Sequence, residues 1–148
     1  MKKVNDLETC RIYLAGGMSN LTLEEQTKWR MRFQDAVKYG DYDCEKKAIF
    51  FDPTQNYSIF EQEHKSEREV FEYDLYNLKR SDLVVVNFNA PKSIGTAMEL
   101  AIAKENNIPV IGLNKDNVEL HPWILECCTR VCDDFREFVE YVVKFFLK

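Results

Sequence analysis

Histidine is scarce in this chain, with only His64 and His121 far apart, and the five cysteines contain no C-x-x-C pair. A metal centre needs ligands at short spacing, so Cys127, Cys128 and Cys132, near His121 and Asp133, read as ordinary thiols rather than a zinc site. An odd cysteine count without framework spacing argues against a disulfide scaffold and for reduced thiols. No apolar run approaches the length of a bilayer crossing. The basic start, Met1-Lys2-Lys3, is followed by acidic residues and no apolar segment, unlike a secretion signal. The expectation is a cytoplasmic protein with no membrane partner. An excess of positive charge is also missing. A net charge of -5 and a pI near 5.1 give no broad attraction for a polyanion, which argues against a nucleic-acid partner while leaving room for one local phosphate.

What is present suits one domain with a real core: 148 residues, 45% hydrophobic and 30% charged. Short apolar runs alternate with amphipathic segments in a βαβαβαβαβα order, the pattern of a parallel sheet covered by helices. Cys10 to Ala15 is the first strand and ends at Gly16-Gly17. Thr22-Leu23-Glu24-Glu25 is a capping box that opens a helix to about Tyr39, with Gly40 as its stop. Ala48 to Phe51 is the second strand, and residues 52 to 65 form a long connection of the kind that carries recognition. Ser66-Glu67-Arg68-Glu69 caps a helix to about Arg80, and Asp82 to Asn87 is the strongest strand. A helix from about Gly95 to Asn106, strands at Pro109 to Leu113 and Arg130 to Cys132, and a helix from Asp134 to Leu147 complete the chain. The expected fold is a single-domain, doubly wound, flavodoxin-like α/β protein: five parallel strands in the order 2-1-3-4-5 with helices on both faces. In such sheets ligands sit beyond the carboxyl ends of the strands where the order reverses, which brings the Gly16-Gly17 loop opposite the loop after Asn87.

Two carboxylates stand out. Glu99 is the only charged residue between Ser93 and Ala103, near the start of a helix, where the dipole favours an ionised nucleophile. Asp74 falls in phase with Val70, Leu75 and Leu78, so desolvation should raise its pKa and suit it to proton delivery. Asp82, at the entry to a strand, reads as a turn residue. Carboxylates in opposed environments are the usual equipment of glycosyl transfer, one assisting the leaving group while the other meets the oxocarbenium-like carbon. The Ser93-x-Gly95-Thr96 turn offers N–H groups and hydroxyls to a phosphate or a 5'-hydroxyl. Asp52, Gln55, Asn56 and Tyr57 are candidates to read and stack a base.

Four stretches, Ile12-Tyr13-Leu14-Ala15-Gly16-Gly17-Met18, Tyr73-Asp74-Leu75, Asp82-Leu83-Val84-Val85-Val86 and Ser93-Ile94-Gly95-Thr96-Ala97-Met98-Glu99-Leu100, give the chain its resemblance to the nucleoside 2-deoxyribosyltransferase family. The resemblance runs from about residue 10 to 114. It implies Glu99 as the nucleophile that forms a glycosyl ester, Asp74 as the acid assisting base departure, and Tyr13 as the phenol orienting the nucleophile. It also implies a nucleoside or nucleotide and a free nucleobase as partners, no metal or organic cofactor, and a homo-oligomer whose neighbouring chain completes each site through Asn117, His121 or Trp123. One departure divides the reading. The transferases usually carry an acidic residue six positions before the nucleophile, whereas Ser93 here is similar to the related nucleoside 5'-monophosphate N-glycosidases, with Lys92 available for the phosphate. A reading of another class is a catalytically silent nucleotide sensor.

Overall fold

The computed structural model describes residues 7–55 and 66–148. Asn56 and Tyr57, candidates for base recognition, lie outside the described residues. Five strands, β1 (Thr9–Gly16), β2 (Lys47–Phe51), β3 (Leu83–Asn87), β4 (Val110–Leu113) and β5 (Arg130–Cys132), pair in parallel in the order 2-1-3-4-5, as expected. The principal helices are α1 (Leu23–Tyr39), α2 (Glu67–Lys79), α3 (Ile94–Glu105), α4 (Pro122–Cys127) and α5 (Phe135–Phe146). None is long and apolar enough to cross a membrane among the described residues.

Strand alternation divides the core into two layers. Ile12 and Leu14 of β1, Leu83 and Val85 of β3, and Ile111 of β4 point to one face, where they meet Phe33 of α1 and Phe138 of α5. Tyr13, Ala15, Val84, Val86 and Val110 point to the other, against Leu78 of α2 and Leu100 and Ala103 of α3. β3 is apolar almost throughout because both its faces are covered. The first two of these helix starts follow the caps read from sequence, and Asp134 adds a third. The Thr22 side chain accepts from Glu25 N while the Glu25 carboxylate accepts from Thr22 N, and the Ser66 and Asp134 side chains accept from Glu69 N and Glu137 N.

Helix α4 was not expected. It has only six residues, too few for a period to show, and it is opened by Pro122 at its first turn with His121 as the cap accepting from Trp123 N at 3.1 Å. Asp82 is a structural residue, its carboxylate accepting from Arg11 N at 2.8 Å across the mouth of β3.

The register of β1 on β3, Gly16 opposite Asn87, ends both strands at one level and opens their loops side by side. Gly17 lets them close. A Cβ there would lie 2.3 Å from Ala90 Cβ, so any side chain at 17 would force the loops apart. Gly17 N also donates to Asn89 Oδ1 at 3.3 Å, and Asn89 Nδ2 donates to Glu25 O at 3.2 Å, tying the β3 loop to β1 and to α1.

Candidate active site

Beyond the carboxyl ends of β1 and β3 lies a cavity of about 990 Å³. This is the upper end of the roughly 300–1,000 Å³ of small-molecule sites. Its walls come from the loop after β1, from α2 and from the start of α3. Of the apolar stripe Val70, Phe71, Leu75 and Leu78 of α2, the first three line this cavity and Leu78 is fully buried. Asp74, in phase with that stripe, opens on the same cavity.

Glu99 and Asp74 both line the cavity, Glu99 from α3 and Asp74 from α2, and each is half-buried. Tyr13 rises from β1 and is completely buried. Its hydroxyl faces Glu99 closely enough for its proton to favour the ionised carboxylate, while strict hydrogen-bond geometry is met with no acceptor among the described residues. Burial, followed by the charges of Glu99 and Asp74, raises the phenol's pKa well above its ordinary value and keeps it a donor.

The protonation of Glu99 departs from expectation. Desolvation pushes its carboxyl up to about 7, the phenol of Tyr13 opposes this, the negative charge of Asp74 adds to it, and Arg30 opposes it. Helix α3 begins at Ile94, so Glu99 lies beyond the first turn, out of reach of most of the dipole's benefit, and neighbours from other elements decide its charge. A carboxyl poised near neutrality is at home in a catalytic centre.

Ser93 caps α3, its Oγ accepting from Thr96 N at 3.3 Å and from Thr96 Oγ1 at 3.1 Å. Gly95, with nothing within 4 Å of the position a Cβ would take, leaves the helix backbone open, and all three residues line the cavity. Gly16 lines it too, whereas Gly17 serves loop packing. Asp52 is placed differently from a base-reading residue. Its Oδ1 accepts from Thr54 N at 2.9 Å and from Thr54 Oγ1, and stands 3.7 Å from Arg30 Nε, so its carboxylate is turned into the protein. Asn117, His121 and Trp123 do not line the cavity of the single chain. The cysteines are free thiols, and no group of three or more metal-ligating side chains occurs among the described residues.

Arg30 is the site residue that sequence reasoning missed. It is fully buried on α1 yet lines the cavity. The signal was available, because a charged residue at position 30 is in helical phase with the apolar Phe33 and Val37.

The family model for nucleoside 2-deoxyribosyltransferase matches residues 12–142. The chain belongs to that family. Among solved structures, the 2-deoxyribosyltransferase of Bacillus psychrosaccharolyticus is similar at 22% identity and a TM-score of 0.70, covering 89% of this chain and 92% of its own. The 2-deoxyribosyltransferase of Leishmania mexicana is similar at 17% identity and a TM-score of 0.65, with 93% and 99% covered. A Clostridium botulinum CMP N-glycosidase is similar at 16% identity and a TM-score of 0.56, with 91% and 99% covered. At these identities the likenesses establish the shared fold. No curated protein matches the chain by sequence. Membership of the family supports an enzyme of nucleoside deoxyribosyl transfer or N-glycoside cleavage.

Proposed function

We propose that this family member cleaves the N-glycosidic bond of 2'-deoxynucleosides through a covalent ester at Glu99 and passes the deoxyribosyl group to a second nucleobase or to water. The observation that supports it is the meeting of Glu99 and Asp74, from two separate helices, at one cavity, with the buried phenol of Tyr13 behind Glu99. In the first step a Glu99 oxygen bonds to C1' as the C1'–N bond breaks. The bonding pair leaves with the base, and Asp74, which enters this step as the carboxylic acid, gives the base its proton and becomes the carboxylate. In the second step Asp74 takes the proton of an incoming base or water, whose lone pair displaces the ester and regenerates the carboxylate. Tyr13 holds the Glu99 carboxylate in line.

A 5'-monophosphate substrate is the second reading, favoured by Ser93, Gly95 and Lys92 at the cavity wall together with Arg68 of α2. Incubating the protein with deoxynucleosides or their 5'-monophosphates, each with and without a free base, separates the two by chromatography. Base exchange on the nucleoside supports transfer, and release of base from the monophosphate alone supports the hydrolase. Nucleotide-dependent thermal stabilisation without any product would leave the sensor reading and end both catalytic ones.

The proposal includes a second copy of the chain at the site. Ile94 and Met98 of α3, and Leu125 and Trp123 of α4, expose apolar side chains on neighbouring helices, Trp123 to 79%. Sedimentation should find a dimer or larger assembly that Trp123→Asp weakens. A monomer at all concentrations that still turns over substrate would remove the shared site from the scheme.

A further inference from the structure

Arg30 is among the largest fully buried side chains of the described residues, and the reaction as written does not use it. Three main-chain carbonyls hold its guanidinium: Nε donates to Leu14 O at 3.1 Å, Nη2 to Gly16 O at 3.3 Å, and Nη1 to Gln26 O at 2.5 Å. Nε also stands 3.7 Å from Asp52 Oδ1, and the guanidinium lies 4.8 Å from the centre of the Trp29 ring. Room for it is made by Gly16, where a Cβ would sit 2.9 Å from Trp29 and 3.3 Å from Arg30 Nη2. These restraints fix a positive charge at the end of β1, at the wall of the cavity that holds Glu99.

Removing a guanidinium from water is costly, and α1 has an exposed face on which a cation could remain hydrated. The buried placement therefore asks for a reason. Two carboxylates supply one: Asp52, 3.7 Å from its Nε, and Glu99, which lines the same cavity, both act on Arg30, as does the phenol of Tyr13. We propose that Arg30 is a positioning residue for the reaction, a fixed countercharge shared between Asp52 and Glu99 that governs how readily Glu99 presents a carboxylate to the sugar. Sharing matters chemically. A full unshared cation beside Glu99 would oppose the positive charge that develops on the sugar carbon, and with no cation the desolvated Glu99 would hold its proton to higher pH. Pairing Arg30 with Asp52 holds its field between those limits.

The groups that face Glu99 are Tyr13 from β1, Arg30 from α1 and Asp74 from α2, while Glu67, Arg68 and Lys92 stand exposed around the same cavity. Arg30 and Asp52 can therefore be varied with the other charges constant. This inference rests on the reading of Glu99 as nucleophile, so its test is one that needs no substrate. The carboxyl carbon of Glu99 is followed by NMR across pH in the unliganded protein, with Glu99→Gln to assign the signal. Arg30→Met should raise the midpoint by about half a unit to one unit and Asp52→Asn should lower it by about half a unit, the scale of a single partly screened charge. Arg30→Lys, which keeps the charge, should leave it within about 0.3 units.

The opposed directions are what a purely structural role cannot produce. Where Arg30→Met does not fold, Arg30→Lys and Asp52→Asn still decide. A midpoint that stays put in Asp52→Asn, or that moves the same way in Asp52→Asn and Arg30→Met, overturns the proposal. In active protein the acid limb of kcat/KM should follow the same displacements. Absence of turnover in the parent would count against the proposed function, while the titration would still judge Arg30.

Discussion

Glu99→Gln is expected to abolish glycosidic cleavage while making the protein more stable at neutral pH. The first effect follows from chemistry. An amide oxygen cannot form the ester, so kcat/KM should fall by on the order of 10⁴-fold or more. The second follows from linkage. The folded protein holds the Glu99 proton up to about pH 7, whereas the unfolded chain releases it near the ordinary carboxyl value of 4.5. Between those values the native state binds more protons than the unfolded state, so the parent loses stability as pH rises through the window. Glutamine has no proton to lose and escapes this penalty. The variant should gain about 3 kcal/mol well above pH 7, with the gain closing toward zero below about pH 4.5. Urea unfolding of both proteins at pH 4.5 and pH 8 measures the difference. Equal stability at both pH values would mean that Glu99 is not a desolvated carboxyl. Retained turnover would mean that it is not the nucleophile. The same midpoint should govern catalysis, with kcat/KM falling as pH drops below about 7 because the attacking form is the anion.

The two effects have opposite signs because an active site holds groups that folding alone would not select. This also explains which parts of the structure were legible in the sequence. Strand order, helix starts and the crevice between the β1 and β3 loops followed from local signals: apolar runs, the Thr22–Glu25 capping box and the glycine pair. The place of Asp74 on the cavity wall was legible because its phase on α2 is local information too. The charge of Glu99 was not legible, since it depends on burial and on Asp74, Tyr13 and Arg30, which reach it from elements far apart in sequence. Asp52 misled for a similar reason. A polar residue at a loop start reads as solvent-facing or ligand-facing, and only the fold reveals a buried cation beside it. Helix α4 was too short to announce itself.

Arg30→Met is expected to be the most destabilising single substitution of a polar residue in the site, at about 3–5 kcal/mol. Methionine fills much of the volume but donates nothing to Leu14 O, Gly16 O or Gln26 O, and it leaves Asp52, buried except for its bonds from Thr54, without a countercharge. A domain with a total stability of roughly 5–15 kcal/mol survives such a loss only narrowly. Two double substitutions show where the cost arises. In an Asp52→Asn background the loss from Arg30→Met should shrink by about 1–3 kcal/mol, because no buried carboxylate is then abandoned. In a Glu99→Gln background at pH 8 it should shrink as well, because Glu99 is then no longer an anion that loses a cation from its surroundings. At pH 5, where Glu99 is protonated with or without Arg30, that second saving should vanish while the saving with Asp52→Asn persists. Denaturant unfolding of the four proteins of each cycle at the two pH values measures these terms. Costs that simply add in both cycles would make Arg30 a structural staple for three carbonyls. Coupling to Asp52 at both pH values and to Glu99 only at the higher one would identify a cation whose two partners are distinguished by when they are charged.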